Sequence, residues 1–252
     1  MAIRSGDFSE QAEVYARARP GYPAAMLDRL LSRAHVGPGD RVAEFGAGTG
    51  LFTRELVERG LEVIAIEPSV AMRDQAGELP GVRWQIGSFE AHELPAGELG
   101  WIVAAQAFHW ADPARALPKL HRALARQGCF TALWNDRDVP GSPLLEYTFA
   151  AIDRRVPEFD EGYRKRDWTS VLTSTGDFDR VELDEIAHVV TMSHARFLDL
   201  WRSHNKLNVA AGPIAMASLL DELAAWLRDN APDPVDVPYR CRAWTAWPTH
   251  SR

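Results

Sequence analysis

The chain has 252 residues, and its 35 acidic and 28 basic side chains give a formal charge of −7. A charged fraction of 25% beside a hydrophobic fraction of 46% belongs to a folded globular protein and excludes disorder as the main state. The acidic balance, with a pI near 5.6, weighs against a nucleic-acid backbone as the main partner, because surfaces that bind one carry net positive charge.

The first twenty residues, MAIRSGDFSEQAEVYARARP, are studded with charges and lack the apolar stretch of a signal peptide. From residue 41 onward, short apolar runs alternate with helical patterns. Residues 41–45 read as a strand, and 51–59 as a helix in which Leu51, Phe52, Glu55, Leu56 and Arg59 fall at helical spacing before Gly60 stops it. Residues 61–66 form a second strand, after which Pro68 and Ser69 open another helix. Segments 82–86, 101–107 and 129–134 complete this set of strands, and 113–126 is a helix that Gly128 ends. The apolar run 101–108 is far too short to cross a bilayer. Cys129 and Cys241 lie far apart with no C-x-x-C pair, so a reducing, cytoplasmic setting is expected.

Strands this apolar, separated by helices, imply a parallel sheet buried on both faces, wound as an open α/β fold. After Asn135 the pattern changes. Segments 143–156, 193–205 and 213–229 read as helices, with Phe197, Leu198, Leu200 and Trp201 in one apolar stripe. Residues 180–190 and 235–247 read as long strands, the second with Val235, Val237, Tyr239 and Cys241 on one face. The expectation is a mostly parallel seven-stranded α/β sheet with an antiparallel edge, formed by a single domain over 1–252. Its ligand-binding core spans about 36–135, and a helical cap with the last strands spans about 136–252.

The strongest chemical signal is Glu44-Phe-Gly46-Ala47-Gly48-Thr-Gly50, set between the first strand and its helix. Glycines let the backbone turn tightly and approach a ligand where a Cβ would collide. The free N–H groups that open the next helix favour a carboxylate or phosphate. Glu67 ends the second strand, 21 positions after Gly46, where an acid can accept hydrogen bonds from ribose hydroxyls. A dinucleotide fingerprint, G-x-G-x-x-G/A, needs a small third residue, and here Leu51 occupies that position. The order is instead E-x-G-x-G-x-G.

That order resembles motif I of the class I S-adenosylmethionine-dependent methyltransferases. The resemblance continues through Glu67-Pro68-Ser-Val-Ala-Met72, Gly87-Ser88-Phe89-Glu90 and Ala105-Gln106-Ala107-Phe-His109-Trp110. The entry segment Tyr15-Ala-Arg-Ala-Arg19-Pro-Gly-Tyr22-Pro23 is similar to that of the small-molecule type 11 group, including its trans-aconitate methyltransferase-like branch. The likeness covers roughly residues 8–135 well and the remainder loosely. It implies a Rossmann-like fold and S-adenosyl-L-methionine as cofactor, with S-adenosyl-L-homocysteine as product. It also implies roles for single residues. Gly46, Ala47, Gly48 and Gly50 line the methionine part, and Glu44 helps hold its ammonium. Glu67, beside Pro68, takes the ribose diol, and Met72 packs against adenine. Ser88 and Phe89 border the adenine edge, Gln106 and Ala107 lie beneath the sulfonium, and Tyr15 closes over the cofactor.

A methyl group on a sulfonium is already activated, so the protein's task is alignment and exclusion of water. His109 is the candidate general base, since an imidazole titrates near neutrality. The same His-Trp pair also reads as a shape element lining the pocket. Arg19, Tyr22, His109, Trp110 and Trp134 are the expected acceptor-binding residues. A carboxylate acceptor would need a cation instead of a base, from Arg19, Arg137 or Arg164. Five of the nine tryptophans, Trp168, Trp201, Trp226, Trp244 and Trp247, lie beyond the cofactor half and are expected to enclose the site or to fill the core. No metal is expected: Asn135, Asp136 and Asp138 offer oxygen ligands, but no acid ends the fourth strand. The absence of any Pro-Pro pair disfavours nucleic-acid base methylation. The expected partner is a small-molecule methyl acceptor, with oxygen ahead of nitrogen or carbon, and no nucleic acid or membrane; the chain is expected to be a monomer or homodimer. Two alternatives stay open, a catalytically silent cofactor-binding module and, disfavoured by Leu51, an NAD(P)-dependent oxidoreductase.

Overall fold

Seven strands share one mostly parallel sheet with an antiparallel edge in the computed structural model, which describes residues 12–157, 159 and 162–249. They are β1 (Arg41–Phe45), β2 (Glu62–Ile66), β3 (Val82–Gln85), β4 (Leu99–Ala105), β5 (Leu124–Arg137), β6 (Phe178–Met192) and β7 (Val235–Pro248), in the order β3-β2-β1-β4-β5-β7-β6. β1 and β2 each expose only their first residue and bury the next four, as strands covered on both faces must. β1 pairs in parallel with β2 on one side and β4 on the other, placing Glu44 beside Ala65 and Val103. Chain order reverses across β1, so the crevice at the ends of β1 and β4 is the topological switch point where open α/β sheets bind ligands.

The helices are α1 (Ala12–Ala18), α2 (Ala24–Ala34), α3 (Leu51–Glu58), α4 (Val70–Asp74), α5 (Pro113–Ala123), α6 (Pro143–Arg155), α7 (Trp168–Thr173), α8 (His194–Arg202) and α9 (Asn205–Asn230). Local chemistry starts several of them. Ser69 caps α4 by accepting from the Met72 N–H, and Asp112 caps α5 with Pro113 just inside. α5 stops at Ala123, short of the expected 126, because Leu124 turns extended and pairs with Leu99. Gly128 is therefore not a helix stop: a Cβ there would stand 2.6 Å from the Leu99 carbonyl oxygen, so the close approach of β4 requires glycine. Sheet pairing overrides a local helical pattern here. The short helix α7 has no counterpart among the expected elements.

The chain forms two compact units. The first comprises the described residues of 21–135, 165–186 and 241–252, and the second those of 1–20, 136–164 and 187–240. The border after Asn135 coincides with the change in sequence pattern, but two later segments return to the first unit. The second unit packs α1, α6, α8 and α9 around Leu145, Ile152, Phe197, Leu200, Trp201 and Leu223. There Arg17 pairs with Asp199 at 2.8 Å. α9 breaks at Gly212 (φ 70°, ψ 170°) just before Pro213, the residue at which the sequence predicts a helix to begin. The uncharged run 207–220 within it is longer than 101–108, and α9 is long and apolar enough to cross a bilayer by length and composition. It turns Leu219, Leu223 and Leu227 inward at four-residue spacing while carrying Asp221 and Glu222, the pattern of a packing helix.

In the first unit, Asp184 of β6 is 4% exposed and is held by Arg33, with Arg29 at 3.3 Å. Asp184→Ala is expected to lower the unfolding free energy by about 1–3 kcal/mol, because hydrogen bonds to a charged group are lost inside the fold. Urea titration checks this, and a loss below about 0.5 kcal/mol would reduce the cluster to an ordinary surface pair.

Candidate active site

β1 ends at Phe45, and the backbone then turns through Gly46, Gly48 and Gly50 with φ of 69°, 57° and 73°. These left-handed conformations favour glycine at all three. At Gly46 the constraint is also spatial, since a Cβ would lie 2.4 Å from the Cβ of Ala107 beyond β4. The N–H groups of Gly46 and Ala47 donate to the Ile66 carbonyl at 2.8 and 3.2 Å, binding the loop to β2. Glu67 completes the tie. One carboxylate oxygen accepts from the Gly48 N–H at 2.8 Å and the other from the Ser69 N–H at 2.9 Å. Met72 closes the loop from α4, its Cε 3.5 Å from where a Gly48 Cβ would stand. At Gly50 a Cβ would stand 2.9 Å from that of Ala76, just past α4, so the close approach there leaves no space for a side chain.

Two acids lie beneath this loop. Glu44 is 1% exposed and accepts from the Thr53 hydroxyl at 2.6 Å. Burial pushes its carboxyl up to about 8, the Thr53 hydrogen bond opposes the rise, and the charge of Glu67 adds to it. Burial also raises Glu67, partly offset by the two backbone N–H groups it accepts. A buried carboxylate with one neutral donor is a place where a cation would be well received.

At the end of β4, Gln106 adopts a left-handed φ of 58°, uncommon for a residue with a Cβ. Its backbone N–H donates to Leu133 at 2.8 Å and its side-chain amide to the Asn135 carbonyl at 3.0 Å. The Asn135 amide in turn donates to the Gly21 carbonyl at 3.0 Å. A single 3₁₀ turn, Phe108–Trp110, follows. Phe108 is buried, Trp110 is exposed, and His109 accepts from the Trp134 indole N–H at 3.3 Å.

The structure thus gathers Glu44, Gly46, Ala47, Gly48, Gly50, Glu67, Met72, Gln106 and Ala107 into one loop system in the first unit. Pro68 lies between Glu67 and the cap of α4. The Ser88 hydroxyl donates to Glu90, and Phe89 stacks on Phe45 at 4.8 Å. Tyr22 packs edge-on against Phe52 at 5.0 Å. Tyr15 and Arg19 belong to the second unit, where the guanidinium lies 4.6 Å over the phenol ring. Arg137 covers Trp201 at 4.1 Å there, and Arg164 pairs with Asp136 at 2.9 Å. Trp134, expected to bind the acceptor, is 1% exposed, stacks on Trp168 at 4.2 Å and donates its indole N–H to His109. Trp168 and Trp201 are core as well, at 1% and 0% exposure, because rings this large supply most of the buried area around them. Thr53 and Asn135 are the supporting residues that motif reading misses, since a hydroxyl on α3 and an amide at a strand end carry no local signature. A cavity of about 570 Å³ lined by Arg41, Glu62, Arg83 and Glu98 lies mainly at the strands' other ends, away from the glycine loop.

Residues 43–132 match the methyltransferase domain family, a segment that runs from within β1 to within β5 and includes Glu44 through Ala107. This segment, about a third of the chain, is similar to a methyltransferase domain. An uncharacterized methyltransferase of Mycobacterium tuberculosis is 40% identical over 132 residues, 52% of this chain and 53% of that protein. An uncharacterized methyltransferase of Schizosaccharomyces pombe is 32% identical over 126 residues, 49% of this chain and 50% of that one. The chain thus spans about half the length of the curated relatives it matches. Among solved structures, a protein of Anaeromyxobacter dehalogenans assigned as a type II methyltransferase shares the fold. Its TM-score is 0.68 at 22% identity, covering 92% of this chain and 99% of that one. Phosphoethanolamine N-methyltransferase 2 of Haemonchus contortus, in complex with phosphomonomethylethanolamine and S-adenosylhomocysteine, has a TM-score of 0.56 at 15% identity. That likeness covers 96% of this chain and 58% of that one.

Two outcomes follow for this loop system. Gly46→Ala forces a Cβ onto Ala107 at a positive φ, so it is expected to cost about 1–3 kcal/mol and to lower the melting temperature. An unchanged melt would mean that the loop relaxes freely. For Glu44 the sign is set by its raised pKa: its contribution is full below about 4.5 and is lost as pH rises through about 8. Glu44→Gln removes that loss, with a limiting slope of about 1.4 kcal/mol per pH unit. Thermal melts of the ligand-free protein should therefore favour the variant more at pH 8 than at pH 5, and a pH-independent difference would contradict this.

Proposed function

We propose that this chain transfers a methyl group from S-adenosylmethionine to a small organic molecule by in-line displacement, with oxygen the favoured acceptor atom. The observation that carries the reading is the buried Glu44 under a glycine loop tied by Glu67, with Leu51 in the position where a dinucleotide site needs a small residue. The residues fit the cofactor's charges. Glu44 is a buried acid able to compensate an ammonium, and Glu67 holds two N–H groups while its remaining lone pairs suit a ribose diol. Bound S-adenosylmethionine supplies a methyl group that positive sulfur has already activated. The contribution of the chain is placement: holding reacting atoms roughly 3–3.5 Å apart and in line removes much of the barrier. Gln106 and Ala107, held in shape by Leu133, Asn135 and Gly46, fix the floor at the end of β4. The Haemonchus contortus neighbour, which holds S-adenosylhomocysteine, supports the cofactor assignment. The names of the curated relatives specify no acceptor.

Titration calorimetry with S-adenosylmethionine and S-adenosylhomocysteine tests the first half of this proposal, and a methyl-labelled cofactor with fractionated extract tests the second. Heat is expected with both ligands, and label is expected in a small molecule. Glu44→Gln is expected to weaken the first binding by about 10–100-fold, the value of a charge-assisted hydrogen bond. No heat with either ligand would overturn the reading, and binding without any labelled product would leave a silent binding module instead.

A further inference from the structure

Between β3 and β4 the chain runs through 86–98 with neither helix nor strand, so its backbone groups need partners from elsewhere. α5 and its end supply them. The Lys119 ammonium donates to the carbonyls of Glu90 and His92 at 2.6 and 3.3 Å and pairs with Glu93 at 2.8 Å. Gly97 and Glu98 donate their N–H groups to the Arg122 and Ala123 carbonyls at 2.9 and 3.1 Å. The Glu90 carboxylate closes the suspension from the loop's side. One oxygen accepts the Asp112 N–H at 2.8 Å and the other the Ser88 hydroxyl at 2.9 Å. Held this way, Phe89 is 6% exposed, and its ring stacks on Phe45 at 4.8 Å and meets Phe108 edge-on at 5.4 Å. Phe45 directly precedes Gly46, and Phe108 directly follows Ala107. The tight approach of Gly46 to Ala107 is therefore flanked by two rings that share one aromatic wedge.

We infer that Glu90 is a positioning residue for the glycine loop: by hanging the segment after β3 on the head of α5, it keeps Phe89 wedged between Phe45 and Phe108 and so sets the spacing of the loop from Gln106 and Ala107. The inference rests on the methyl-transfer reading only in taking that loop to hold S-adenosylmethionine. Glu90 acts through geometry and not through its charge. Its two oxygens meet one N–H and one hydroxyl, a pair that an amide also satisfies, its oxygen on the Asp112 N–H and its NH₂ on the Ser88 oxygen. Alanine satisfies neither, which frees the segment around Phe89 on one side while the Lys119 bonds remain on the other. The effect reaches the ligand because a loop already held at its working spacing costs less to order on binding.

Calorimetry with S-adenosylmethionine, and amide hydrogen exchange of the ligand-free protein, test this well below the melting temperature. Glu90→Ala is expected to bind S-adenosylmethionine about tenfold or more weakly. It is also expected to exchange the Gly46 and Gly48 N–H groups, which tie the loop to Ile66 and Glu67, about tenfold faster than wild type. Glu90→Gln is expected to stay within about threefold of wild type in both readouts. Asp184→Ala controls for lost stability alone, and it should lower the melting temperature while leaving affinity and exchange unchanged. An equal loss of affinity in Asp184→Ala would make Glu90 an ordinary stabilising contact and overturn the inference. An alanine variant that binds and exchanges like wild type would do the same, as would a glutamine variant no better than alanine. Should Glu90→Ala fail to fold, Lys119→Met removes the bonds to Glu90 and His92 from a partly exposed position on α5. It is expected to move both readouts in the same direction by about threefold or more, and no shift would count against the inference. If the wild-type protein binds no S-adenosylmethionine, the methyl-transfer reading fails, and the exchange rates still decide separately whether Glu90 holds the loop.

Discussion

The hydrogen bond from the Gly48 N–H to Glu67 holds the site together, because it locks a loop in which Gly46, Gly48 and Gly50 carry no side chain to hold it. A glycine turn is entropically loose, and its conformation has to be imposed from outside. Glu67 imposes it from the end of β2, Ile66 adds two backbone bonds, and contact between Gly46 and Ala107 sets the limit on the β4 side. The loop is thus pinned to both neighbours of β1, at the point where the strand order reverses. A ligand arriving there meets a loop already in shape and bears less of the cost of ordering it.

That preorganisation carries an electrostatic cost. Glu44 and Glu67 are both buried, and both are harder to ionise than ordinary carboxylic acids. In the ligand-free protein this strain opposes stability, most strongly at alkaline pH. A cation brought against Glu44 would relieve it. Binding of such a ligand would then be coupled to folding through this carboxyl group.

The end of β4 is organised differently, through packing and amide bonds instead of charge. Gln106 is held in a left-handed conformation by Leu133 and Asn135, and Asn135 reaches back to Gly21. Behind them Trp134, Trp168 and Phe108 form an interior aromatic wall. Aromatic mass that composition alone would allow to line a cavity is packed into the interior here, and the Trp134 indole N–H donates to His109.

The alternating α/β pattern, the glycine loop with its two acids, and the cap at Ser69 were legible in the sequence. Each depends on residues within a few positions of one another along a strand, turn or helix, where spacing translates directly into geometry. Tertiary structure decided the rest. The end of α5 depended on Leu124 pairing with Leu99, and the glycine at 128 on a neighbouring carbonyl. The return of 165–186 and 241–249 to the first unit, the partnership of Glu44 with Thr53, and the interior place of Trp134 beside His109 were also beyond local reading. These juxtapositions follow from strand order and helix packing, which bring distant segments together through buried area that no short stretch of chain encodes.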